Sequence, residues 1–112
     1  MISHAEVRAI ALGFPGVDEG LRYGTPAFHV RKKLLARFHP DNESLVLTMD
    51  FDTREFVLRQ HPEVFYLTDH YRDYEYVLVR LEAATCDQIR EYIENSWRKF
   101  APKRLVSEYD SR

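Results

Sequence analysis

The chain has 112 residues, 45% of them hydrophobic and 30% charged, with a formal net charge of -2. That length makes one domain over residues 1–112 and excludes two ordinary ones. Plentiful aromatic residues and the near-neutral balance exclude a disordered chain, and they argue against a protein that coats nucleic acid through its overall charge.

"SHAEVRAIAL" opens with a capping box, Ser3 with Glu6, followed by Val7, Ile10 and Ala11 at helical spacing. This predicts a helix over 4–12. "GFPGVDEG" breaks it, with two glycines and a proline before position 17. No basic segment precedes a long apolar run here, so no signal peptide is expected.

Residues 21–50 read as β structure. In "AFHVR", Phe28 and Val30 alternate with His29 and Arg31. "KLLARFH" and "SLVLTMD" follow, separated by the turn signal "HPDNE". Gly24 and Pro26 in "YGTPAF" predict a kinked or edge strand. "DTREFVLRQ" offers a capping box of Asp52 with Glu55 and predicts a short helix over 53–60, ended by Pro62.

"EYVLVRL" alternates cleanly, with Val77, Val79 and Leu81 on one face and Tyr76, Leu78 and Arg80 on the other. "TCDQIREYIENSWRKF" is the strongest helical pattern. Thr85 and Gln88 make its capping box, and Ile89, Tyr92, Ile93, Trp97 and Phe100 its apolar stripe. Pro102 interrupts it before a further turn or two. Strands run consecutively with helices mainly at the ends, which predicts an α+β domain: a mostly antiparallel sheet with helices packed on one face. No apolar stretch approaches the roughly 20 residues of a bilayer span. The single cysteine, Cys86, closes no internal disulfide and fits a reducing cytoplasm.

"FPGVDEGLRYGTPAFHVRKKLLARF", "FYLTDHYRDYEYVLVRL" and "SWRKFAPKRL", in that order and spacing, resemble the MmcQ/YjbR family of small bacterial proteins. The resemblance implies a curved antiparallel sheet covered by terminal helices, with hairpins in a double-wing arrangement. It also implies DNA binding, an assignment that rests on fold comparison. Many relatives carry a short Asn-Lys segment before a tryptophan where this chain reads "YRDYEY", with Tyr76 at the tryptophan's place. No catalytic residues carry over.

The residues themselves offer two sites. Arg31, Lys32, Lys33 and Arg37 lie in an acid-free hairpin, and Lys99, Lys103 and Arg104 form a second acid-free basic stretch. Together they are candidates for phosphate contacts, against a solvated charged surface and, for the second stretch, a favourable interaction with a helix C-terminus. The acids gathered at 41–55 weigh against a phosphate face if they share it. Tyr66, His70, Tyr74 and Tyr76 form the alternative site, for a small molecule, a peptide or a protein partner. Tyr71 and Tyr74 are expected to be exposed, Tyr66 and Tyr76 half-buried.

Asp69 and His70 are adjacent, but no nucleophile accompanies them. Cys86 lies near a helix start, where a thiol can be activated. No histidine spacing suggests a metal, although His29 and His39 could meet across a hairpin. The reading is therefore a small cytoplasmic binding module without catalytic residues, metal or cofactor. It binds DNA through the basic hairpin and the basic C-terminal turn, or alternatively a small ligand or partner through the tyrosine–histidine cluster.

Overall fold

The computed structural model describes residues 1–112. The first helix, α1 (His4–Leu12), starts at the expected capping box: the Glu6 N–H donates to Ser3 Oγ at 3.1 Å and the Ser3 N–H to Glu6 Oε1 at 3.0 Å. The chain then turns at Gly16, whose φ is +78°. The positive φ calls for glycine, and a Cβ there would lie 2.6 Å from Leu105 Cδ1, so the leucine side chain would have to move.

Four strands follow, β1 (Asp18–Arg22), β2 (Thr25–Val30), β3 (Lys33–Phe38) and β4 (Ser44–Thr48). After them come α2 (Phe51–Gln60), β5 (Phe65–Tyr66), a 3-10 turn at Asp69–Tyr71, β6 (Tyr76–Arg80), α3 (Cys86–Phe100) and α4 (Lys103–Asp110). The strands form one sheet in the order β1-β2-β3-β4-β6-β5, antiparallel throughout. The α+β expectation holds.

Two local expectations change. β1 falls largely within the segment read as a breaker, and Pro26 lies in β2, inside the sheet rather than on its edge. "DEGLR" has no apolar alternation, so it carries no strand signal of its own. It is held by register with β2, from Asp18 opposite His29 to Arg22 opposite Thr25. The second correction concerns α2, which is capped by Asp50 and not by Asp52. Asp50 accepts from the Thr53 N–H at 2.8 Å, and the helix begins at Phe51.

The sheet has two unlike faces. On one, Phe28, Val30, Phe38, Leu45, Leu47, Val77 and Val79 meet α1 and α3 in the main core. Trp97 is fully buried there, and its indole N–H donates to the Pro15 carbonyl at 2.8 Å. On the other face, Val46 and Leu78 form a small second cluster with the buried Tyr71, and Tyr66, Leu67 and Tyr76 pack around it. A bulge serves this division. Phe28 pairs with Ala36 and His29 with Leu34, so Leu35 is the extra residue, and Leu35 and Ala36 both join the core. Arg37 is thereby aimed at the second face.

Candidate functional site

The second face carries a cleft of about 630 Å³. β3 forms its floor with Leu34 and Arg37, and the segment before β6 forms its wall with His70, Tyr71 and Tyr74, continued by Tyr76 at the start of β6. Arg22 and Tyr23, from the β1–β2 turn, close the rim.

Arg37 is only 6% exposed, and no carboxylate bonds to it. Its Nη1 donates to Thr25 Oγ1 at 3.0 Å and to the Phe38 carbonyl at 3.5 Å, and its Nη2 to the Tyr71 hydroxyl at 2.8 Å. Its guanidinium also lies 5.3 Å from the Tyr23 ring centre. The Nε–H donates to nothing in the protein and Nη2 donates only once, so the fork keeps donors for a carboxylate or phosphate. A buried cation is costly unless paired, and here its partners are neutral.

The wall is held from behind. Arg54, on α2, donates to the carbonyls of Tyr74 at 2.7 Å, Arg72 at 2.9 Å, Tyr76 at 3.2 Å and Tyr71 at 3.4 Å. One side chain thus fixes the loop that carries the tyrosines. Nothing in the local pattern of "DTREF" announces this role, because its acceptors are backbone atoms far along the chain.

Of the expected tyrosine–histidine cluster, His70, Tyr74 and Tyr76 line the cleft and Tyr66 does not. Tyr66 is on the same face but pairs with Ser44 Oγ at 2.6 Å, under the Arg80 guanidinium at 4.2 Å from the ring centre. Tyr71, expected in solvent, is 7% exposed because its ring closes over Val46 and Leu78. Asp69 pairs with Arg72 at 2.8 Å and not with His70. His29 stands opposite Leu34 and does not face His39. No three His, Cys, Asp or Glu side chains gather where they could hold a metal ion. Cys86 is not activated: burial and the Glu6 carboxylate, 3.6 Å from its sulfur, push the thiol up.

The basic residues divide. Arg37 leaves the hairpin surface for the cleft. Arg31 and Lys32 form the exposed tip of the β2–β3 hairpin, both in the left-handed region at φ +50° and +66°. Lys33 and Lys99 converge on one ring, with ammonium groups 6.0 and 5.6 Å from the centre of Phe100. The two basic stretches therefore share a corner, and a shallow groove joins it to the cleft past Leu34, Tyr74 and Tyr76. Glu75 lies in the same groove, and beyond it Asp50 is held below its ordinary value by the Thr53 N–H. Lys103 and Arg104 do not end a helix as expected. They begin α4, whose first turn has no acid, and there the helix dipole opposes them. Among their acidic neighbours, Arg104 has Glu108 at 3.8 Å.

No helix is long and apolar enough to cross a membrane. A search of curated proteins found no match to the chain. Among solved structures, the chain is similar to Deinococcus radiodurans protein DR2400, a protein with a DUF419 domain. The TM-score is 0.73 at 20% identity, over 87% of this chain and 77% of that one, which is a likeness of fold. The sequence model of the YjbR family matches residues 12–99, the whole sheet and nearly all of α3. The chain belongs to the YjbR family.

Proposed function

We propose that this protein is a non-enzymatic binding module of the cytoplasm that takes a small anionic ligand in the cleft over Arg37. One observation carries the reading: an arginine only 6% exposed, hydrogen-bonded to no carboxylate and with donor capacity left over, lines a cleft of ligand size. An anion there would complete the pairing that the fold leaves open. Isothermal titration with inorganic phosphate and with acetate, on the parent and on Arg37→Met, tests it. Saturable binding that Arg37→Met abolishes supports the reading. Equal binding by both proteins refutes it.

A second reading, DNA binding, is favoured by the meeting of Lys33 and Lys99 around Phe100 and by the exposed tip at Arg31 and Lys32. Lys103 and Arg104, at a helix start where cations gain nothing from the dipole, add to it. Asp50 and Glu75 in the adjoining grooves weigh against it. Fluorescence anisotropy with labelled duplex and single-stranded DNA, at low and physiological salt, decides. Binding that weakens steeply with salt and is lost in Lys32→Glu with Lys33→Glu supports phosphate contacts. Unchanged binding in that double variant sinks them.

A further inference from the structure

The cleft has a second property beyond its buried cation. Its mouth is aromatic, and two of the rings there are largely exposed. Tyr23 is 78% exposed and Tyr74 59% exposed, on opposite sides of the opening. Tyr76, half-buried, continues the wall from Tyr74, with ring centres 6.4 Å apart and planes 34° from parallel. Tyr71 meets Tyr76 edge-on at 6.2 Å and carries the hydroxyl that positions Arg37.

Tyr23 also holds its place at a cost. Its φ is +54°, beside Gly24 at +80°, in a tight hairpin turn. Asn, Asp or Gly fill such a position more cheaply, and a left-handed residue with a Cβ costs roughly 1–2 kcal/mol. A bulky aromatic kept in that conformation, exposed at the rim of a cleft, is strain of the kind that accompanies binding.

A bare inorganic anion would use Arg37 and leave both exposed rings in water. A ligand with a flat face would bury them. Resting on the anion-site reading above, we infer that the ligand is a planar aromatic group bearing a carboxylate or phosphate. The anion takes the donors that Arg37 leaves unused, and the ring lies between Tyr23 and the Tyr74–Tyr76 wall. Aromatic faces stack on such a ligand irrespective of its substituents. Two sources share this chemistry: a free aromatic acid or mononucleotide, and an unpaired nucleotide within a strand whose neighbouring phosphates would run toward Lys33 and Lys99.

The test is titration calorimetry with matched probes: benzoate against acetate, and adenosine monophosphate against inorganic phosphate and against adenosine. The aromatic anions are expected to bind at least tenfold tighter than acetate and phosphate. Tyr74→Ala, at an exposed position the core does not need, is expected to reduce that preference at least threefold and leave binding of the simple anions. Arg37→Lys, which keeps the charge but loses the fork, is expected to weaken all anions. If the simple anions bind as tightly as the aromatic ones, and both require Arg37, the aromatic inference is overturned while the anion site stands. If no anion binds, both fall. Affinity for oligothymidylate that rises with length beyond one nucleotide assigns the strand as the source. Affinity that does not rise assigns the free molecule.

Discussion

Arg54→Ala is the sharpest test of how the cleft is built. The guanidinium makes two short bonds, to the carbonyls of Tyr74 and Arg72, and two longer ones, to those of Tyr76 and Tyr71. A hydrogen bond from a charged group contributes about 1.5–3 kcal/mol net, less where water can replace it. Arg54 is half-buried, so counting the two short bonds at the low end gives about 2–4 kcal/mol. At roughly 4–5 °C per kcal/mol for a domain of this size, thermal melting should fall by about 8–20 °C. Hydrogen exchange gives the local readout. The amides of Tyr74 and Tyr76, bonded to the carbonyls of Tyr71 and Tyr74, should exchange faster, while those of β3 and β4 follow the global change only. Arg54→Lys should recover less than half of the loss, because one ammonium cannot reach carbonyls fanned across six residues. A loss below about 0.5 kcal/mol, the range of an ordinary surface substitution, with unchanged loop exchange would refute the clasp.

Gly16→Ala should cost about 2–3 kcal/mol in urea denaturation, from a left-handed φ and a contact with Leu105; adding Leu105→Ala relieves the second part only. Asp41 and Asp50 both ionise below their ordinary value of 3.8. For Asp41 burial opposes the shift, and the N–H groups of Glu43 and Ser44 outweigh it; for Asp50 the Thr53 N–H leads. Depressed carboxyls stabilise the fold above their unfolded pKa, and that stability is lost as pH falls through the folded values. Melting temperature should be flat from pH 7 to about 5 and drop below about 4. Asp50→Asn, which still caps α2, should soften the drop, and Asp50→Ala should cost about 1 kcal/mol at neutral pH. Cys86 should alkylate more slowly than free cysteine at pH 7.5. Glu6→Gln, which preserves the capping box, should speed it.

Elements with a strong period were legible in the chain. α3 shows its cap, stripe and length in fifteen consecutive residues, and β6 shows both of its faces, because each buries one side against the core. β1 was not legible, since an exposed edge strand needs no apolar alternation and owes its shape to its neighbour. The cap of α2 was misplaced because "DFDTRE" offers two aspartates at nearly equivalent positions. The helix starts at Phe51, and that start makes Asp50 the residue whose side chain reaches the Thr53 N–H. His70, Tyr74 and Tyr76 were found as a cluster from their density, whereas Tyr66 was included for the same reason and lies elsewhere.

The sequence by itself determined the α+β class, the main helices and the family, because those depend on period, capping and the order of motifs. Arg37 shows the other half. In the chain it is one of four cations in a basic hairpin; one bulged residue, Leu35, and one returning ring, Tyr71, turn it into a buried cation facing a cleft. Whether a charge meets water or a ligand depends on which strand face it occupies and on what crosses that face; the first is set here by the β2–β3 register and the second by a contact between residues 34 positions apart.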